Sequence, residues 1–258
     1  MNTERRETIN NFLSVYKAAI FDAEGVLFDT PEIYFQTHRK MAAELTGYSF
    51  TVEDQKELAG IPKKKGVKSV ELFADKIGLS ISANHRELAI ERLMAKRDSL
   101  FMEILRESGQ SLVKPGVAEL LDVLGEKGIF LALSTSSSSR QLEALFTSQD
   151  IIKRSTFRVV VCADDNSEYA ATRDKAVLNN AVIERFRQFE SQITHSNCMM
   201  FEDSTEGVSA AKRSGIGLII AVPDDHSRHL ATAEGGRFGF TDSSLIIQDL
   251  EYFTKLIS

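Results

Sequence analysis

Two carboxylates, Asp22 and Glu24, lie two residues apart at the end of a short apolar run, residues 18–21. An apolar run bounded by a charge and a glycine is typical of a buried parallel strand, which would deliver Asp22 to the carboxyl edge of a sheet. Ligands bind at that edge. Because Gly25 lets the chain bend, one carboxylate could attack as a nucleophile while the other transfers a proton. The alternative is an ordinary charged turn after a strand.

Four later apolar runs also have strand character, and helical patterns separate them. The runs are residues 129–133, 157–162, 198–201 and 216–222, and the helical stretches are 140–147, 173–189 and 206–214. Strands that alternate with helices predict right-handed crossovers and an α/β fold with a doubly wound parallel sheet. A short amphipathic helix is predicted over residues 3–15, ahead of the first strand.

Residues 31–112 interrupt this alternation directly after the first strand. Their apolar residues recur near helical spacing, and Pro62 and Gly78 punctuate them, so we expect about four helices. The pattern predicts an all-helical domain inserted over residues 31–112 and an α/β core made of residues 1–30 and 113–258. We expect the insertion to stand over the sheet edge that carries Asp22.

The ends of the later strands carry further polar groups. Thr135 and Ser136 follow the second strand, where hydroxyls and the N–H groups of an opening helix could bind phosphate. The alternative is a solvated loop with a serine N-cap. Glu202 and Asp203 follow the fourth strand, and adjacent carboxylates suit a hard divalent cation, although Asp203 or Ser204 could instead cap a helix.

A lysine near the start of the helix after the third strand completes the set. The ammonium of Lys175 could pair with a phosphate and with Asp22. A lysine on the surface is the alternative.

Two stretches of the chain resemble the haloacid dehalogenase-like superfamily. Residues 21–30 (FDAEGVLFDT) resemble its motif one, and residues 201–211 (FEDSTEGVSAA) are similar to motif four in the branch of beta-phosphoglucomutases and sugar-phosphate phosphatases. The resemblance spans nearly the whole chain and includes a helical cap inserted after motif one. It implies that Asp22 is the nucleophile that forms an aspartyl-phosphate, and that Thr135 binds phosphate.

The resemblance also implies a Mg²⁺ site. The side chain of Asp203 and the backbone carbonyl of Glu24 would hold the ion beside Asp22, and Glu202 would support this set of ligands.

Two features depart from the family's phosphotransferase motifs. Glu24 stands where the family's phosphotransferases have Asp, the residue that protonates the leaving oxygen and then deprotonates water. The extra methylene predicts slow activity or a reshaped site, because a misplacement of about 1 Å can cost about a hundredfold in rate. The usual Lys-Pro of motif three is absent, and Arg173 and Lys175 both remain candidates; the spacing before Glu202 favours Lys175. Haloacid dehalogenases proper also lack a second Asp, but they do not use the Glu-Asp-Ser pattern found at residues 202–204.

The candidate residues that bear on the identity of the substrate lie in the predicted cap. Tyr34 and Lys63 stand where beta-phosphoglucomutases have His and Arg, and Arg97 matches a cap position usually held by a phosphate-binding Lys. An arginine that snorkels from a half-buried face is the alternative for Arg97. Lys63 and Arg97 together would suit an anionic, phosphorylated small molecule.

Composition excludes several classes of protein. The 258 residues carry a formal net charge of -6, and no Lys/Arg block is interleaved with aromatics, which argues against nucleic-acid binding. Cys162 and Cys198 are too few for a disulfide framework and fit a reducing compartment. The first residues lack the apolar core of a signal peptide, and no apolar stretch approaches the roughly 18 residues of a membrane span. We therefore expect a cytoplasmic protein.

These observations favour a Mg²⁺-dependent phosphatase that hydrolyses a small phosphorylated metabolite, most plausibly a sugar phosphate, through an aspartyl-phosphate. One alternative is a phosphomutase, against which Tyr34 and Lys63 count. The other is a phosphometabolite-binding protein that lost efficient chemistry at Glu24.

Overall fold

The computed structural model describes residues 13–60, 69–109, 111–223 and 240–258. The chain divides into two compact units, one formed by Met1–Asp29 with Leu112–Ser258 and the other by Thr30–Ser111. We call the first the α/β unit and the second the cap. The helix predicted over residues 3–15 falls almost entirely outside the described residues.

The α/β unit is built on a six-stranded sheet in its described residues. The strands are β1 (Ala18–Phe21), β2 (Phe130–Ser134), β3 (Val159–Val161), β4 (Cys198–Glu202), β5 (Leu218–Ala221) and β6 (Leu245–Ile246). They lie in the order β3-β2-β1-β4-β5-β6, and each pairing is parallel. This confirms the predicted doubly wound fold class. β6 is only two residues long, Leu245 and Ile246, and both are exposed at the sheet edge, so its short apolar run did not predict a strand.

The described elements of the cap are all helical. Its α-helices are α1 (Pro31–Thr46), α2 (Val52–Gly60), α3 (Ser69–Lys76) and α4 (Arg86–Ser108), with a 3-10 turn at Ala83–His85. Pro31 fits the first position of α1, where its missing N–H costs nothing. The buried cluster of the cap includes Met41, Phe50 and Phe73. Met41 lies on α1, Phe73 lies on α3, and Phe50 lies in the loop between α1 and α2, so the cluster joins several cap elements.

Six further α-helices flank the described sheet. They are α5 (Val117–Glu126), α6 (Ser139–Thr147), α7 (Ser167–Thr172), α8 (Lys175–Arg187), α9 (Thr205–Arg213) and α10 (Leu250–Ile257). The helix predicted over 173–189 begins later, because Arg173 adopts a left-handed φ of 58° and Asp174 caps α8 by accepting from the Ala176 N–H at 3.0 Å. Sequence analysis did not predict α7 or α10.

The interior strands of the sheet are buried on both faces. Phe21 of β1 stacks on Phe201 of β4 with ring centroids 4.6 Å apart. The two cysteines are buried free thiols. In the described part of the chain, every helix is too short or too polar to cross a bilayer.

Candidate active site

Strand order places the candidate site between β1 and β4. The chain leaves β1 for β2 and β3 on one side and then returns to β4 on the other, so this is the topological switch point where such sheets bind ligands. Phe21 is in register with Phe201, and the N–H of Asp22 donates to the Phe201 carbonyl at 3.0 Å. Asp22 and Glu202 therefore leave the sheet side by side.

Lys175 bridges these two carboxylates. Its Nζ donates to Asp22 Oδ2 at 2.7 Å and to Glu202 Oε1 at 2.5 Å. The exposed fractions are 8% for Lys175, 5% for Asp22 and 0% for Glu202, so the alternative of a surface lysine is wrong. The guanidinium of Arg173 lies instead over the Tyr169 ring, 5.2 Å from its centroid.

Asp203 completes an acidic cluster with Asp22 and Glu202. Carboxylate oxygens of the three residues lie within 4.8 Å of one another. The backbone N–H of Asp203 donates to Glu202 Oε2 at 2.9 Å, which fixes the turn between them. Ser204 is the residue that caps α9, accepting from the Gly207 N–H at 3.0 Å, so helix capping does not explain the presence of Asp203.

Two glycines make room for these carboxylates. A Cβ on Gly25, which has a φ of +78°, would lie 2.0 Å from Asp203 Oδ2, and a Cβ on Gly207 would lie 1.5 Å from Glu202 Oε1. Three carboxylates and the Lys175 ammonium leave two net negative charges in a largely buried space. Oxygen donors with that charge fit a hard divalent cation.

The charged groups of the cluster shift one another's pKa. Burial, followed by the Glu202 carboxylate, raises the pKa of Asp22 to about 7 against the opposing pull of Lys175. Burial works to lower the pKa of Lys175, but Asp22 and Glu202 override it and raise that pKa well above its ordinary value. Burial likewise opposes ionisation of Glu202, yet Lys175 keeps the pKa of Glu202 below its ordinary value. The contacts therefore favour an ammonium form of Lys175.

The loop after β2 holds the predicted phosphate-binding hydroxyls. Thr135 is 1% exposed, and its Oγ1 accepts from the Ser137 N–H at 3.1 Å. Ser136 is half-buried in the same loop. Ser138 forms a capping box with Gln141 at the start of α6, so the predicted serine N-cap is real and lies two residues beyond Ser136. The N-cap and the candidate phosphate-binding residues are thus different members of one polar run.

A buried polar pair lies behind this loop. Ser134 Oγ donates to Asn179 Oδ1 at 2.7 Å. Among the described residues, Asn179 Nδ2 and Ser137 Oγ are the buried side-chain atoms without a hydrogen-bond partner. Asn179 lies one helical turn after Lys175, so it links α8 to Ser134 at the end of β2, one residue before Thr135. In the sequence, the signal that could have identified Asn179 was its position four residues after Lys175 on the same predicted helix.

Glu24 and its neighbours form a tight loop, residues 22–28, which we call the active-site loop. Glu24 is half-buried and adds to the negative potential at Asp22. The Lys114 Nζ donates to the Gly25 carbonyl of this loop at 2.6 Å. Sequence reasoning missed this contact, since no pattern in the sequence links Lys114 to Gly25, 89 residues earlier.

Two of the cap residues that the sequence relates to substrate, Arg97 and Tyr34, contact other residues of the cap. Arg97 Nε and Nη2 donate to Asp98 Oδ1 at 3.1 and 2.8 Å, and both side chains are half-buried. Tyr34 packs against Phe101 with ring centroids 4.9 Å apart. Lys63 lies outside the described residues. The phosphate-binding roles of Arg97 and Lys63 stay predictions.

Fold and site together define an α/β enzyme with a carboxylate cluster at the switch point of its sheet and a helical unit inserted after the first strand. The profile of the haloacid dehalogenase-like hydrolase family matches residues 19–221, and the chain belongs to this family.

Three proteins are similar to the chain along nearly its whole length. The chain is 28% identical over 235 residues to the phosphorylated carbohydrates phosphatase of Thermotoga maritima, covering 91% of this chain and 98% of that protein. The crystal structure of CbbY from Rhodobacter sphaeroides in complex with phosphate gives a TM-score of 0.71 at 21% identity, covering 92% of this chain and 95% of that one. Beta-phosphoglucomutase from Clostridium difficile gives a TM-score of 0.62 at 16% identity, covering 94% and 97%. At these low sequence identities, the two structures support only the assignment of the fold.

Proposed function

We propose that this hydrolase is a Mg²⁺-dependent phosphatase that releases inorganic phosphate from a small phosphorylated metabolite through an aspartyl-phosphate. The observation that carries the proposal is the Asp22 carboxylate at the switch point, hydrogen-bonded to Lys175 and grouped with Glu202 and Asp203. A carboxylate held in this way can act as a nucleophile toward phosphorus.

Asp22 is oriented from two sides. Its Oδ1 accepts from the Ala23 N–H at 2.9 Å, and its Oδ2 accepts from Lys175 Nζ. In the first step a carboxylate oxygen of Asp22 attacks phosphorus while the bond to the substrate's leaving oxygen breaks. Lys175 and the loop carrying Thr135 and Ser136 would neutralise and hold the phosphoryl oxygens, because catalysis of phosphoryl transfer rests on positioning and charge stabilisation.

Glu24 is the proposed general acid and base. It would give its proton to the leaving oxygen as the ester bond breaks. It would then take a proton from the water that attacks the aspartyl-phosphate, which releases phosphate and restores Asp22. Glu24 follows the nucleophile by two residues in a loop bent at Gly25, and this places its carboxyl group near Asp22.

The acidic cluster is where the metal would bind. Asp22, Asp203 and the backbone carbonyl of Glu24 would hold Mg²⁺, with Glu202 supporting them through its bonds to Lys175 and to the Asp203 N–H. When bound, the ion supplies positive charge to the oxygens of the transferring phosphoryl group. When the three carboxylates are ionised, the single Lys175 ammonium does not neutralise them all. The site then keeps a net negative charge, which favours binding of a divalent cation.

A sugar phosphate is the proposed substrate class. Support comes from the Thermotoga maritima relative, whose name gives phosphorylated carbohydrates as its substrates and which aligns along nearly the whole chain. The reaction should be tested on a panel of sugar and polyol phosphates with Mg²⁺ or with EDTA, measuring released phosphate. Phosphate released by the wild-type protein only with Mg²⁺ supports the proposal. Interconversion of sugar phosphates without phosphate release would identify a phosphomutase, and binding without either reaction would identify a binding protein.

Substitutions at two positions, Asp22 and Glu24, test the roles at the loop. Asp22→Asn should remove nearly all phosphate release, whereas Asp122→Asn, an exposed aspartate on α5, should leave it unchanged. Glu24→Gln should lower kcat by about 10²–10⁴-fold with substrate binding largely kept. Glu24→Asp then shows whether the site is fitted to the longer arm: a fall in kcat means that it is, and a rise means that the extra methylene handicaps it. Unchanged turnover in both Glu24 variants would remove Glu24 from the mechanism.

A further inference from the structure

A short segment, residues 112–114, runs beside the active-site loop within the α/β unit. The Asp29 N–H donates to the Leu112 carbonyl at 2.7 Å, and Phe28 forms an antiparallel bridge with Val113. The N–H of Lys114 donates to the Leu27 carbonyl at 2.9 Å. These backbone contacts fix where the Lys114 side chain begins.

The side chain of Lys114 then reaches back over the loop. Its Nζ donates to the Gly25 carbonyl at 2.6 Å, and an ammonium donor makes this a charge-assisted hydrogen bond of the stronger kind. The N–H of Gly25 donates to the Phe28 carbonyl at 2.8 Å. One polar group of Gly25 is therefore held by the loop itself, and the other is held by a residue 89 positions away.

The orientation of Gly25 matters because both of its neighbours belong to the site. Glu24 directly precedes it, and the Asp203 carboxylate lies so close that an added Cβ would be 2.0 Å from Oδ2. Turning the peptide after Gly25 would displace Glu24 or press the loop against Asp203. Glycine resists such turning less than any other residue, since it lacks a Cβ to restrict φ. The loop needs an external contact at this peptide.

We propose that Lys114 is a positioning residue that holds the active-site loop through the Gly25 carbonyl and so sets the position of Glu24. The catalytic part of this inference rests on the proposed function. The Lys114 ammonium bonds the backbone of the loop, whereas the Asp22 carboxylate is bonded by Lys175. It would act through the backbone of residues 24–26, and its charge would add to the hold on a loop that faces the acidic cluster.

The test compares three variants of the full chain. Lys114→Met keeps most of the aliphatic stem and removes the donor, Lys114→Arg restores a charged donor, and Lys153→Met removes an exposed lysine elsewhere on the α/β unit. Hydrogen–deuterium exchange reports on the amides of Gly25, Leu27 and Phe28, which are all bonded inside the loop. Steady-state phosphate release with Mg²⁺ gives kcat and KM separately.

Lys114→Met should speed exchange at the loop amides about tenfold or more while the amides of β1 and β4 stay protected. Its kcat should fall about 10- to 100-fold, because a displacement of about 1 Å has an effect of this size. KM should change less than about threefold, Lys114→Arg should recover most of kcat, and Lys153→Met should match wild type in both measurements.

Two results would overturn the proposal. Unchanged loop exchange in Lys114→Met would show that the contact does not hold the loop. Faster exchange with wild-type kcat would show that the contact is structural and does not position Glu24. If the wild-type protein releases phosphate from no substrate, the proposed function fails, whereas the exchange measurement still decides whether Lys114 holds the loop.

Discussion

Replacing Gly207 with alanine should destabilise the protein even though alanine is the better helix former. Gly207 lies in the first turn of α9, where an added methyl would lie 1.5 Å from Oε1 and 2.0 Å from Cδ of Glu202. Glu202 cannot move aside at low cost. Its side chain is fully buried, and its two carboxylate oxygens bond Lys175 Nζ and the Asp203 N–H.

Two opposing effects set the size of the change. Alanine in place of glycine inside a helix gains about 1 kcal/mol. Displacing Glu202 weakens two hydrogen bonds to a charged group, each worth about 1.5–3 kcal/mol. The balance is a loss of about 2–5 kcal/mol in the free energy of unfolding if both bonds break. Phosphate release should fall as well, because Glu202 holds Lys175 against Asp22.

A second glycine provides the matched control. Gly125 lies in α5, and an added Cβ there would have no atom within 4 Å, so Gly125→Ala should stabilise the protein by about 0.5–1 kcal/mol. Urea unfolding followed by far-UV circular dichroism measures both variants. If Gly207→Ala is as stable as Gly125→Ala, then Glu202 relaxes without cost and the packing argument is wrong.

Three further predictions concern the metal, the cap and the buried polar pair. Asp203→Ala should raise the Mg²⁺ concentration for half-maximal turnover about tenfold or more, since the cation loses an anionic ligand; an unchanged requirement would exclude Asp203 from the site. Burial chiefly lowers the pKa of His38, which is hydrogen-bonded to Gln55 in the cap, from 6.5 to about 4. The neutral form is thus favoured by folding, so stability should be full above pH 6.5 and should fall by about 2–3 kcal/mol as the pH drops toward 4. His38→Phe should flatten that part of the urea-unfolding profile, and an equal pH slope in wild type and variant would contradict the assignment. Ser134→Ala and Asn179→Leu should each cost about 1–3 kcal/mol by leaving a buried partner unpaired, and the double variant should cost less than the sum of the two; additive urea-unfolding energies would show that the pair is not coupled.

The sheet and the pairing at its switch point were predictable because local patterns specify them. Apolar runs identify the interior strands, and the carboxyl ends of neighbouring parallel strands share one edge, which brings Asp22 and Glu202 together. The boundaries of these strands differ by two residues or fewer from the predicted ones. β6 was missed because Leu245 and Ile246 form too short an apolar run to predict a strand.

Side-chain contacts between distant segments were not predictable from one sequence. The bond from Lys114 to the Gly25 carbonyl joins residues 89 apart, and the bond from Ser134 to Asn179 joins residues 45 apart. No periodicity links such positions. The sequence left open whether Arg173 or Lys175 is the motif-three residue. The left-handed turn at Arg173 starts α8 at Lys175, and Lys175 bonds Asp22 and Glu202, while its catalytic role stays a prediction.

The charge balance of the acidic cluster explains why the fold accepts a departure from the family pattern at Glu24. Asp22 and Glu202 are buried and joined through one ammonium, so a change in the size of either would leave an uncompensated buried charge, which costs several kcal/mol. Glu24 is half-buried and lies on the loop, outside the ion pairs of Lys175. An extra methylene there leaves the ion pairs of Lys175 with Asp22 and Glu202 in place. The fold therefore tolerates Glu at this position, and in the proposed mechanism the longer side chain changes the rate of proton transfer.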